Sequence, residues 1–242
     1  MPTAVVKLGG AALRHGSFRL ESYVRRGERT VVVHGAGPRI SAALARAGIE
    51  SRFVGGRRVT TPDALPVVRE AMRAENEELC HTIGSRAVSI LGDELGLEAE
   101  LVPELGRVGM PFATAPPRLG ELLAAGHVPV VAPLARGPLN VNADDAAAAL
   151  AIGLRADRLV FVSDVDGIQV AGATLSSFSR ADVDRYREHL DNGILPKVEA
   201  ALRAAETGVE VRIGKTRILG TDRTQQRDAQ GDRRDSDDLR RP

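Results

Sequence analysis

Of the 33 lysines and arginines in this 242-residue chain, only Lys7, Lys197 and Lys215 are lysine. Those exceptions carry information, because a compact ammonium reaches a phosphoryl oxygen in a crowded site that a planar guanidinium does not enter in the same way. Lys7 lies in Ala4-Val-Val-Lys-Leu8, directly ahead of Gly9-Gly10, and Lys197 lies in Leu195-Pro-Lys-Val-Glu-Ala-Ala-Leu202. Two turns of small residues, Gly9-Gly10 and Gly35-Ala36-Gly37, can aim backbone amides at an anion. Between the lysines come the polar turn Leu139-Asn-Val-Asn-Ala-Asp-Asp145 and the acidic turn Ser163-Asp-Val-Asp-Gly167. Phosphoryl transfer needs this inventory: its transition state is stabilised mainly by position and electrostatics, with little covalent work for the protein.

Apolar spacing supplies the elements that must hold these groups. Thr30-Val-Val-Val-His34 reads as a second buried strand, and after its turn come Pro38 and the helical spacing Ile40, Leu44, Ala47. Two strands that each end in a small-residue turn predict two amide nests at one edge of a parallel sheet. A short helix is expected around Leu20 to Arg26. Thr60-Thr-Pro-Asp63 predicts a cap for a long amphipathic helix over Leu65 to Ile83, with Arg58 just before it. Alternation near Ala87 to Leu91 and Leu97 to Leu101, broken by glycines, predicts strands in a hairpin in place of another βαβ unit. A helix over Leu119 to Ala125 and a strand over Val128 to Ala132 deliver the chain to Asn140. There Asn142 reads as an N-cap, with Asp144 and Asp145 in the first turn of an Ala-rich helix. Arg158-Leu-Val-Phe-Val162 follows as a buried strand, and Ser163 to Gly167 then sits where open α/β sheets hold ligands. A helix over Ala181 to His189 capped by Ser179, a helix from Lys197 to about Ala205, and a last strand over Val209 to Ile213 complete the pattern.

A hydrophobic content of 43% allows a proper core, and a formal net charge of +1 gives no reason to expect nucleic acid or a membrane as partner. One cysteine, Cys80, forms no internal disulfide, and its helical setting reads as an inert thiol. No apolar run approaches a spanning helix and no signal-peptide pattern precedes the first strand, so the cytoplasm is expected. Thr221 to Pro242, with six arginines, six aspartates and one large aliphatic residue, reads as a disordered charged tail.

Taken together, VVKLGG at 5 to 10, VVHGAG at 32 to 37, GRRVTTPDAL at 56 to 65, GRVGMP at 106 to 111, LNVNADDAAAALA at 139 to 151, VSDVDGI at 162 to 168 and LPKVEAAL at 195 to 202 resemble the amino acid kinase family. The resemblance runs in order from about Val5 to Leu219. It implies an α/β fold, a three-layer α/β/α sandwich around a mostly parallel sheet, in a single domain over residues 1–220. About 1–140 would form an amino-acid-binding half and about 141–220 a nucleotide-binding half, with a homodimer interface and the tail 221–242 outside. The implied reaction is ATP-dependent phosphorylation, with Mg2+, of the side-chain carboxylate of N-acetyl-L-glutamate in arginine biosynthesis. By the match, Lys7 and Lys197 neutralise the γ-phosphoryl oxygens and Asp144 holds both lysines. Arg58, Asn140, Gly35, Ala36 and Gly37 bind the amino acid, with Arg58 clamping its α-carboxylate. Gly9, Gly10 and Asp164 fall on the nucleotide side, the glycines supplying amides. No residue is assigned to a resident metal.

Three departures qualify the match. Ala36 stands where the family commonly has glycine, and a positive φ there would cost about a kilocalorie per mole. Val209 to Leu219 is shorter than usual, so no adenine contact is carried over. The chain starts almost at its first strand, without the amino-terminal helix of arginine-inhibited hexamers, which predicts an arginine-insensitive dimer. The alternatives are a kinase acting on a carrier-linked aminoadipyl or glutamyl group, and a non-catalytic metabolite sensor. NVNADD at 140 to 145 favours the free amino acid over the first, and two lysines kept amid so many arginines argue against the second.

Overall fold

A computed structural model describes residues 1–9, 19–162, 166–190 and 194–220. Its first half runs β1 Thr3–Leu8, β2 Arg29–His34, α1 Gly37–Arg46, β3 Phe53–Val54, β4 Arg57–Arg58, α2 Ala64–Ile83, β5 Ala87–Leu91, α3 Gly92–Leu95, β6 Ala99–Leu101, β7 Val108–Pro111, α4 Pro117–Ala124 and β8 Val128–Ala132. The second half runs β9 Leu134–Ala135, β10 Leu139–Val141, α5 Ala143–Gly153, β11 Arg158–Val162, β12 Gln169–Val170, β13 Ala173–Thr174, β14 Ser177–Phe178, α6 Arg180–Tyr186, α7 Leu195–Glu206, β15 Glu210–Ile213 and β16 Thr216–Ile218.

Continuous apolar strands belong inside a parallel sheet covered on both faces, and the valine-rich β1 and β2 lie at the middle of one. Its order is β14-β16-β15-β11-β1-β2-β8-β5, with every pairing from β15 to β5 parallel and β16 antiparallel to β15. Chain order reverses at β1, which pairs β2 on one side and β11 on the other. The crevice beyond such a switch point is where open sheets bind ligands. Alternate residues point to opposite faces. Val5, Val31, Val33 and Val131 pack with α4, α5 and α7 on one face, while Val6, Val32, Val130 and Val160 pack toward α2 on the other, which gives three layers. Lys7 shares the face of Val5, so strand parity alone directs it toward α5.

Helix α5 is apolar on all sides, with Ala146, Ala147, Leu150 and Ala151 fully buried, and it lies against an alanine face of α7, Ala200, Ala201 and Ala204. Small side chains let the two axes approach closely, so the ends of α5 and α7 are fixed together. Gly153, at the end of α5, has a packing reason: a β-carbon there would collide with the Thr114 backbone.

Several expectations need correction. Ala87–Leu91 is the outermost strand of the parallel sheet and pairs with β8, so it belongs to a crossover rather than a hairpin; in this region the antiparallel partners are β6 and β7. Its mixed burial, which imitated a half-exposed hairpin, comes from its place at the sheet edge. Around Leu20 there is one 3-10 turn, Leu20–Ser22, where a longer helix was expected. The strand over 210–213 is not the last, because Gly214, at φ 53°, turns it back into β16. The expected tail, 221–242, lies outside the described residues.

Candidate active site

Asn142 caps α5 as its position suggested, its side chain accepting from the amides of Asp144 at 2.8 Å and Asp145 at 3.3 Å. Both acids therefore enter the first helical turn, with side chains about 100° apart around the axis. Asp144 faces β1. Its Oδ1 lies 2.8 Å from Lys7 Nζ and 3.9 Å from Lys197 Nζ, and all three side chains are nearly buried. Residues at opposite ends of the chain thus meet on one carboxylate. Burial alone would push that carboxyl up; the charges of Lys7 and Lys197 outweigh it and hold Asp144 below the usual carboxylate range. Lys197 is also the third residue of α7, where the helix dipole disfavours a cation. Asp144, 3.9 Å from the ammonium, supplies negative charge there.

Lys7 and Asp144 form part of the wall of a cleft of about 360 Å³, together with Gly35, Ala36, Gly37, Arg58 and Asn140. Lys197 does not line that cleft and meets Asp144 from α7. Arg58 is buried on β4, stacked with its Cζ 4.5 Å from the centre of the Phe53 ring. It donates to Gly37 O at 3.1 Å, to Ser41 Oγ at 3.0 Å and to Ser51 Oγ. Among the described residues no carboxylate pairs with it, and burial pulls its guanidinium below its ordinary value. A buried cation without a counterion is costly unless an anionic ligand supplies one. Asn140 Nδ2 donates to Thr60 Oγ1 at 2.9 Å, which fixes the amide beside Arg58. Among the described residues, Lys7, Lys197 and Arg58 against Asp144 give these four groups a net charge of +2, suited to anions.

The glycine turns behave differently from expectation. The Gly9 amide donates to Val162 O at 3.2 Å and the Gly35 amide to Leu8 O at 3.0 Å, continuing the parallel ladder one residue past each strand. Those two donors are committed to the sheet and do not face a ligand. What the second turn offers instead is the start of α1, whose Gly37 and Arg39 amides precede the first intrahelical bond, from Ile40 N to Ala36 O. Ala36 has φ −126°, so alanine carries no penalty there, and it is buried in the apolar cluster that includes Ile40 and Leu91. The proposed nucleotide-side Gly10 and Asp164 lie outside the described residues.

Other candidates fall away from the cleft's chemistry. His34, at the end of β2, is fully buried, and its ring has no side-chain partner among the described residues. Burial is the main cause that lowers its pKa to about 4; the Gly35 backbone opposes the shift and Lys7 adds to it. It is therefore neutral at pH 7 and structural. Lys215 forms an exposed ion pair with Asp166 at 2.7 Å. Burial, helped by Glu77, pushes the Cys80 thiol up to about 11, as suits an inert group.

One buried acid was missed. Asp145, only 1% exposed, bonds to Arg57 and Arg203. The pair Arg57-Arg58 on one short strand was the available signal, since neighbouring strand residues must point to opposite sides.

An α/β/α sandwich with two lysines gathered at its switch point around one aspartate defines a phosphoryl-transfer class, and the chain belongs to the amino acid kinase family, which residues 2–215 match. Within that family it is similar to the acetylglutamate kinase of Rubrobacter xylanophilus, 39% identical over 88% of this chain and 88% of the relative. The acetylglutamate kinase of Thermus thermophilus is likewise 39% identical, over 84% and 86%. Among solved structures, smu.665 from Streptococcus mutans superposes with a TM-score of 0.77 at 25% identity, covering 90% of this chain and 98% of that one.

Proposed function

We propose that this chain transfers the γ-phosphoryl group of MgATP to the side-chain carboxylate of N-acetyl-L-glutamate, giving N-acetyl-L-glutamyl 5-phosphate and ADP for arginine synthesis. The carrying observation is the buried carboxylate of Asp144 shared by Lys7 and Lys197 beside a cleft lined by Arg58, which pairs with no carboxylate among the described residues. Similarity to enzymes named acetylglutamate kinase supports the choice of substrate.

In this reading Arg58 forms a fork to the substrate's α-carboxylate and Asn140 orients its acyl end. The side-chain carboxylate is already ionised at neutral pH, so no general base is needed. One of its oxygens attacks the γ-phosphorus as the bond to the β,γ-bridging oxygen breaks, and ADP leaves with that electron pair. The difficulty is repulsion between two anions, and each ammonium within about 4 Å offsets on the order of 4 kcal/mol at an effective dielectric of about 20. Asp144 stays ionised and keeps the two ammonium groups from separating. Mg2+ enters with ATP as part of the substrate. Residues about 1–140 form the amino-acid-binding half and about 141–220 the nucleotide half of one domain. We read the enzyme as a cytoplasmic homodimer; no helix among the described residues is long and apolar enough to cross a membrane.

Trapping acyl phosphate with hydroxylamine tests this reading. ATP-dependent hydroxamate is expected with N-acetyl-L-glutamate and not with aspartate, glutamate or aminoadipate. Silence with all four would overturn it in favour of a sensor.

A further inference from the structure

We propose that Asp145 is a positioning residue: it ties the hairpin carrying Arg58 to the helix carrying Lys197, so that the amino acid and the nucleotide each strengthen binding of the other. The proposal rests on the reaction proposed above. Asp145 Oδ2 accepts from Arg57 Nε at 3.1 Å and Nη2 at 2.8 Å, and Oδ1 accepts from Arg203 Nη2 at 2.5 Å. Each oxygen thus serves a different element, and holding one fixes the plane in which the other is presented.

The two elements are those that carry the site. Arg57 and Arg58 are the whole of β4, so their side chains leave in opposite directions: Arg58 reaches α1 and Arg57 reaches α5. A hairpin of two-residue strands is not stable by itself. Its position over the cleft depends on such ties. At the other end, Arg203 lies on α7 six residues, or roughly 9 Å, beyond Lys197. Because α7 is a continuous helix packed on α5, a shift that moves Lys197 moves Arg203 with it. An α-carboxylate that settles on Arg58 fixes the hairpin, hence Arg57, hence the carboxylate plane offered to Arg203. A nucleotide that settles Lys197 fixes the same chain of contacts from the far end. Two ligands that order one shared set of groups bind cooperatively, and by the same factor in each direction.

Calorimetry on the full chain tests this by measuring the Kd of N-acetyl-L-glutamate with and without a saturating non-hydrolysable MgATP analogue. Wild type is expected to bind the amino acid about five- to tenfold more tightly with the nucleotide present. Arg203→Gln changes a partly exposed side chain outside the cleft. It should bind the amino acid alone within about twofold of wild type and lose the nucleotide-dependent gain, with Arg203→Lys restoring part of it. Asp145→Asn should lose the gain as well. A full gain retained in Arg203→Gln overturns the coupling, and so does a wild type that binds both ligands without any gain. A wild type that fails to bind N-acetyl-L-glutamate overturns the proposed reaction and this inference with it.

Discussion

Asp144 and Asp145 are neighbours in sequence, share one cap and one helical turn, and are both buried, yet the chain surrounds them with opposite chemistry. Asp144 meets two lysines, and one of them, Lys7, also lines the cleft. Asp145 meets two arginines whose planar forks converge on its oxygens, an arrangement that favours fixed geometry. On the proposed reading, a chain that otherwise prefers arginine divides its cations: compact ammonium where a phosphoryl group would pass, guanidinium where elements are joined.

Breaking each acid separately should separate these roles. Asp144→Asn removes the negative charge that two nearly buried ammonium groups share, and turnover should fall about 10²- to 10³-fold, on the order of 3 to 4 kcal/mol. Asp145→Asn should keep turnover within about tenfold of wild type while losing substrate synergy. Equal losses of turnover in the two variants, measured by ADP release at saturation, would erase the distinction.

A smaller effect sharpens the amino-acid side of the same comparison. Arg58→Lys retains charge but loses the fork and the stack on Phe53. The Michaelis constant for the amino acid should rise about thirty- to a hundredfold, roughly 2 to 2.7 kcal/mol, with little change in turnover. A fall confined to turnover would move Arg58 from binding to chemistry.

Smaller again is the contribution of His34, buried beneath the cleft. Its folded pKa of about 4 lies below the unfolded value of 6.5, so between those limits the unfolded chain binds a proton that the folded one refuses. Stability from this group is fully present above pH 6.5 and is lost as pH falls toward 4, amounting to about 2 kcal/mol by pH 5. Denaturant unfolding at pH 7.5 and pH 5 should show that loss in wild type and its absence in His34→Leu. Equal losses in both would show that His34 titrates normally.

Much of this was legible because local rules and tertiary packing agree. The Asn142 cap, the buried strand over 158–162 and the meeting of Lys7, Asp144 and Lys197 follow from capping, apolar runs and family resemblance together. What was not legible depends on partners far away in sequence. The strand over 87–91 lies at the sheet edge, with its first three residues partly exposed and its last two buried, so it lacks the fully apolar run of a central parallel strand. Strands β14 and β16 have two and three residues, too few to show a period. Small residues at 9 and 35 suggest anion nests, but whether an amide faces a ligand or the neighbouring strand depends on register. Nothing near Asp145 in sequence announces arginines at 57 and 203.

The central claim is that two ammonium groups held by one aspartate perform the transfer, and a single-turnover measurement on Lys197→Arg addresses it most directly. Arginine keeps the positive charge but displaces it, so the phosphoryl-transfer rate should fall at least about a hundredfold while nucleotide affinity changes by less than about fivefold. A transfer rate equal to that of wild type would contradict the account.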